Sequence, residues 1–166
     1  MSEVLTVEAK HIFLDIVSYT LKRSVEAQSE IIGSLNEIVK TVIASHEVSE
    51  EHCIYIPTGD GMCISLINVF KPYDVHLQIA LSILGKLQEY NESQKSEPRR
   101  FQLRIGINEN TDNLITDING AQNISGAGIN LASRIEGLAS QSQILVGNSV
   151  YEKLVQREEH MGAFKT

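Results

Sequence analysis

Cysteine is nearly absent. The 166-residue chain has two, Cys53 and Cys63, both in one apolar stretch. Two are too few for a disulfide framework, and they read as buried free thiols of a reducing compartment. No apolar run approaches the ~18 residues of a spanning helix. The first residues lack the apolar region of a signal peptide, so the expectation is a soluble, cytoplasmic protein with no direct membrane insertion. Basic residues are outnumbered, 14 Lys and Arg against 21 Asp and Glu, for a formal net charge of −7. That balance argues against general binding of nucleic acid or anionic membrane, both of which need a basic surface. A nucleotide substrate stays open, because a bound metal can neutralise phosphates locally. Linkers, internal repeats and low-complexity segments are missing too. With 42% hydrophobic and 21% charged residues, residues 1–166 read as one globular domain, a size that buries ~70% of its unfolded surface.

What the chain does contain is organised around Tyr55-Ile56-Pro57-Thr58-Gly59-Asp60-Gly61-Met62-Cys63-Ile64-Ser65-Leu66. Two apolar runs joined by Gly-Asp-Gly read as a β-hairpin, within a span from about Cys53 to Val69. Its acidic tip, flanked by two glycines, suits a hard cation or is a plain turn. Upstream, residues 11–17 form an apolar run broken by Asp15, which suggests a buried strand. An Asp there is costly unless it is paired, metal-bound or capping a turn. Ser18, Tyr19 and Thr20 then open a helix predicted from about Leu21 to His46, whose apolar positions recur at three and four. Strand, polar turn and helix start together offer free backbone N–H groups to a phosphate.

Downstream, a second helix is predicted over 74–93, a loop around Pro98 and a strand over 101–107. Asn108–Asn113 reads as a turn cluster, and residues 114–118 as a partner strand ended by Asn119-Gly120. A helix beginning near Ile129 carries Asn130 and Arg134, four apart and so on one face, as a surface pair or a functional one. A short strand over 143–146 and a helix from Asn148, its cap, to about Glu159 close the chain. Strand, helix, hairpin, helix, hairpin, helix, strand, helix points to an α/β (α+β) sandwich with a mixed, mainly antiparallel sheet and a ferredoxin-like core.

Four motifs in order resemble class III nucleotide cyclases, the adenylate and guanylate cyclase family, over about residues 10–155. Phe13-Leu14-Asp15-Ile16-Val17-Ser18-Tyr19-Thr20 resembles the opening F-x-D-I-x-x-[FY]-T. Gly59-Asp60-Gly61 stands at the second metal aspartate, and Leu103-Arg104-Ile105-Gly106-Ile107 resembles the R-[IV]-G-I strand. Gly126-Ala127-Gly128-Ile129-Asn130-Leu131-Ala132-Ser133-Arg134 resembles the G-x-x-[VI]-N-x-A-[AS]-R helix start. The resemblance implies Mg²⁺ or Mn²⁺, two per site, on Asp15, Asp60 and the Ile16 carbonyl. It gives Asn130 the ribose and Arg134 the α-phosphate, and implies a homodimer whose sites lie at the interface.

The departures bear on the base. Adenylate cyclases place Lys, and guanylate cyclases usually Glu, where this chain has Ile56; the partner base-reading position is Asn123. Neither purine code is present, and Tyr55 beside Ile56 is a further candidate for the pocket. A stand-alone domain lacking both purine readers resembles the pyrimidine cyclases of the bacterial Pycsar anti-phage system, which make cyclic UMP or cyclic CMP for a separate effector. Asn110 replaces the glycine that follows the R-[IV]-G-I strand. The late lysine that binds triphosphate has no aligned counterpart, Lys165 included, so a later strand or another basic group is expected to serve.

Overall fold

The computed structural model describes residues 4–166. Among them, six strands and four α-helices follow the order β1 (Leu5–Ile16), α1 (Val25–Ser45), β2 (Cys53–Pro57), β3 (Gly61–Ile67), α2 (Val75–Ser93), β4 (Leu103–Thr116), β5 (Gln122–Ser125), α3 (Ala127–Leu138), β6 (Ile144–Val146) and α4 (Asn148–Leu154). The sheet order is β2-β3-β1-β4-β5, and β6 lies parallel to the first half of β4 while every other pairing is antiparallel. The first six elements make the expected ferredoxin-like core.

Alternation along β1 decides what each face receives. Ile12, Leu14 and Ile16 enter the main core beneath α1 and α2. Val7 and Ala9 join a smaller cluster with Ile54, Ile67 and Ile124 on the other face. Helix α1 begins where Ser24 accepts a hydrogen bond from the Ala27 amide (3.1 Å), and it buries Ala27, Ile31, Leu35, Ile38, Val39, Val42 and Ile43. That spacing is the one an amphipathic helix needs to cover a sheet. Helix α3 buries Gly128, Ala132 and Glu136, at successive intervals of four.

Several boundaries differ from expectation. Helix α1 starts four residues after the predicted Leu21, because Ser18 (φ 52°) and Lys22 (φ 55°) are left-handed and cannot continue a helix. The Arg23 guanidinium fixes that turn by donating to the carbonyls of Ser18, Tyr19, Pro98 and Arg100. The predicted turn at 108–113 is the middle of the long strand β4, which absorbs 114–116 as well. The hairpin lies later, where Asp117 Oδ1 accepts from the amides of Asn119 and Ala121, and its second strand β5 was not foreseen. Helix α4 is short: Gly147 is its cap, and Asn148, a helical residue, donates to Glu152. Cys63 is fully buried as expected, whereas Cys53 is half-buried.

His76 near the start of α2 is fully buried, and neither ring nitrogen has a hydrogen-bond partner among the described residues. Burial, aided by the charge of Lys10, pushes its pKa down to about 3. A histidine held neutral in the fold but free to protonate when unfolded contributes stability above the unfolded pKa of ~6.5. That contribution falls as pH drops from ~6.5 toward 3, by ~1.4 kcal/mol per unit. Urea unfolding of His76→Phe against the parent is expected to show a stability difference that shifts by ~2–3 kcal/mol in favour of the variant between pH 7 and pH 4.5. Parallel pH profiles for the two proteins would remove this account.

Candidate active site

Strand register builds the acidic pocket. Asp15, next to last in β1, lies opposite Gly61 of β3 on one side and Arg104 of β4 on the other. Gly61 follows Asp60 directly, so the hairpin tip delivers the second carboxylate beside the first. A side chain at Gly61 could not be accommodated, because a Cβ there would fall 1.9 Å from the Leu14 carbonyl oxygen. The Ile16 amide donates to the Asp60 carbonyl (2.8 Å) and staples the tip to the end of β1. Gly59 supplies the turn at φ 92°.

Two charged residues that the motif reading left without a role complete the pocket. Arg104 donates through Nε (3.0 Å) and Nη2 to the same Asp15 oxygen. Glu136, on the buried face of α3, brings Oε1 to 3.1 Å from that Nε. The Nε proton points at Asp15, so among the described residues Glu136 Oε1 is left buried without a hydrogen bond. Burial and then the charge of Asp15 push the Glu136 carboxyl up to about 7, against the opposing pull of Arg104. Asp60 is raised by burial and then by Asp15. Three carboxylates near one guanidinium leave surplus negative charge and an orphaned oxygen, and carboxylate oxygens are the donors a hard divalent cation takes. Among the described residues, however, the cluster whose ligand atoms all lie within 4.8 Å of one another is a different one, Asp74, Glu159 and His160. Both residues carried a signal: Arg104 is a charge in an apolar strand, and Glu136 continues the buried spacing of 128 and 132.

The other predicted residues lie apart from this pocket. Ser18, Tyr19 and Thr20 form the turn after β1, and among the described residues their amides donate to no group of the chain. Asn130 and Arg134 are exposed on α3. They stand six and two residues before Glu136, which at 100° per residue sets both on the far side of the helix from the carboxylates. Within one chain the two sets therefore do not meet. Ile56 packs against the small cluster on the α3 side of the sheet. Tyr55 does not line a pocket with it: alternation turns Tyr55 to the α1 side, where Lys40 Nζ lies 4.1 Å from its ring centroid. The Asn123 carboxamide accepts from the Ile124 amide (2.7 Å) and reaches Asp117 (3.5 Å).

Residues 6–164 match the family described as Adenylate and Guanylate cyclase catalytic domain, and the chain belongs to that family. It is a class III nucleotide cyclase domain. Similar solved structures include the guanylate cyclase domain of RhGC from Catenaria anguillulae in complex with GTP, 19% identical with a TM-score of 0.70, over 99% of this chain and 87% of that one. The adenylyl cyclase CyaB from P. aeruginosa is 15% identical with a TM-score of 0.74, over 93% and 83%. The catalytic core of a rhodopsin-guanylyl cyclase with converted specificity, in complex with ATPαS, is 20% identical with a TM-score of 0.73, over 99% and 88%. No curated protein sequence matches the chain. Among the described residues, no helix is long and apolar enough to cross a membrane.

Proposed function

We propose that the chain cyclises a pyrimidine nucleoside triphosphate, UTP or CTP, to the 3′,5′-cyclic monophosphate and pyrophosphate. The observation that carries the cyclisation chemistry is the convergence of Asp15 and Asp60 at a pocket with surplus negative charge. The turn that follows β1 adds amides that, among the described residues, donate to no group. Two Mg²⁺ or Mn²⁺ ions on Asp15, Asp60 and the Ile16 carbonyl would acidify the ribose 3′-OH and neutralise the departing pyrophosphate.

The chain's own groups do the rest. The Ser18–Thr20 amides receive phosphate oxygens at the strand end. Asn130 hydrogen-bonds the ribose, and Arg134 meets the charge that builds on the α-phosphate as the O3′–Pα bond forms and the bond to pyrophosphate breaks. The 3′-OH proton leaves to solvent. Because Asn130 and Arg134 face away from their own chain's carboxylates, they serve the pocket of a second copy, and a homodimer holds two shared sites.

Pyrimidine choice rests on Ile56 and Asn123. An isoleucine offers a base edge no hydrogen bond, and an Asn offers both donor and acceptor, so neither purine code stands at these two positions. The product would be a messenger for a separate cyclic-nucleotide-binding effector, in the manner of anti-phage signalling. Incubation with ATP, GTP, CTP and UTP in turn, with Mg²⁺ or Mn²⁺ and product masses resolved, is expected to give cyclic UMP or cyclic CMP as the main product. Cyclic AMP or cyclic GMP alone would overturn the base assignment while leaving the cyclase reading. No product under any condition would leave a silent member of the fold.

A further inference from the structure

A buried polar relay crosses the sheet well away from the acidic pocket and ends on α3. Ser65 of β3, His11 of β1 and Asp112 of β4 are almost fully buried. His11 Nδ1 lies 2.7 Å from Ser65 Oγ, and Nε2 lies 2.8 Å from Asp112 Oδ2. A carboxylate only accepts, so the Nε2 proton is donated to Asp112 and the Ser65 hydroxyl donates to Nδ1. Cys63 Sγ extends the relay, 3.5 Å from Ser65 Oγ. At the other end Asp112 accepts from the amides of Gly128 (3.2 Å) and Ile129 (3.0 Å) and from the Asn110 carboxamide (3.3 Å).

Those two amides belong to the first turn of α3, where helix N–H groups have no partner within the helix. Gly126, the residue before the helix, contributes no side-chain cap, so a carboxylate from a distant strand takes that place. The approach is close: a Cβ at Gly128 would lie 2.3 Å from the Asn110 Cβ and 2.7 Å from Asp112 Oδ2. Asn108 adds a hydrogen bond to the Gly128 carbonyl (3.2 Å). The polar middle of β4 thus sets where α3 begins. Asn130 comes one residue after the second capped amide.

We propose that Asp112, held by His11 and Ser65, is the positioning residue for the Asn130 and Arg134 half of the active site. This rests on the functional reading above, in which those two side chains serve a partner's carboxylates. The relay touches no reacting atom in that reading. It fixes the depth and rotation of α3, on which both groups ride, and misplacing such a group by ~1 Å costs up to ~10²-fold in rate.

Shared sites give the test a direction. Asp112→Asn keeps the volume but turns one capped oxygen into a donor. The variant homodimer is expected to lose about tenfold or more in kcat with KM within about twofold. Co-expressed with an Asp60→Ala chain it is expected to recover, since one site then joins the variant's intact carboxylates to the partner's intact α3. Co-expressed with an Arg134→Ala chain it is expected to stay low, because both sites then carry a damaged α3. Recovery with Arg134→Ala instead, equal behaviour with both partners, or an unchanged kcat would overturn the proposal.

Asp60→Ala paired with Arg134→Ala must itself recover activity. If it does not, the shared-site reading fails separately. The proposal is then judged by amide exchange at Gly128 and Ile129, which should quicken in Asp112→Asn while exchange at Ile12 holds, and which overturns it if unchanged. Should Asp112→Asn fail to fold, His11→Gln, which keeps a donor toward Asp112, is expected to retain activity that His11→Leu loses. Equal activity in those two would count against the relay.

Discussion

Asp60→Ala is expected to cut cyclisation by ~10²–10³-fold or more, the scale of removing one preorganised electrostatic group, and to leave the metal-free fold as stable as before or more so. Asp60 sits at a hairpin tip between Gly59 and Gly61, and among the described residues the bonds that hold the tip are backbone ones, from the Ile16 amide to the Asp60 carbonyl and from the Thr58 amide to the Gly61 carbonyl. Its pKa is raised by burial and by Asp15, which means the ionised form is disfavoured where it stands. Removing it relieves repulsion with Asp15 in the absence of a cation. Product mass spectrometry and thermal melts with and without Mn²⁺ check both halves. In the parent Mn²⁺ should raise the melting temperature by ligand linkage, and in Asp60→Ala that rise should largely vanish. Retained turnover would end the metal assignment. A collapsed melting temperature would show instead that the carboxylate holds the hairpin together.

Gly106→Ala is expected to be strongly destabilising for so small a change. A Cβ there would lie 2.3 Å from the backbone nitrogen of Glu136 and 2.6 Å from its Cα. Backbone cannot swing aside as a flexible side chain can, so α3 must lift from β4. Overpacking of this kind costs on the order of 3 kcal/mol, which for a domain of this size is about 6–12 °C in melting temperature. Activity should fall as well, since the same shift separates Glu136 from Arg104 and moves Arg134. Gly33→Ala in α1 and Gly85→Ala in α2 are the controls. Neither added Cβ meets a neighbour within 4 Å, and Ala in a helix interior is favoured over Gly by up to ~1 kcal/mol. Gly106→Ala melting with the parent would mean that α3 does not rest on β4 at this point.

The acidic pocket was legible because its two aspartates break strong local patterns. Asp15 interrupts an apolar run, and Asp60 stands between two glycines at a turn. The core topology followed for the same reason, since apolar periodicity is local. The middle of β4 was not legible. Asn108, Asn110 and Asp112 carry turn chemistry, and what makes them strand residues is a set of partners far off in the chain. Gly128 and Ile129 are 16 and 17 residues from Asp112, and His11 is 101 away. The start of α1 was misplaced by a similar effect, because Arg23 locks the preceding turn through carbonyls as distant as Pro98 and Arg100. Tyr55 follows the strand's alternation, which turns it away from Ile56 and out of a shared base pocket. Arg104 is a charge in an alternating apolar strand, a pattern that asks for a partner, and its partners Asp15 and Glu136 come from β1 and α3.

The outward set of Asn130 and Arg134 has a consequence for dosage. On the proposed reading a lone copy holds both halves of the machinery but cannot bring them to bear on one molecule. When copies are scarce, output then scales with the square of their abundance, so sparse expression is nearly silent and a modest rise in supply is sharply felt. Geometry on one helix would by itself give a threshold, with no separate inhibitor needed to keep the resting level low.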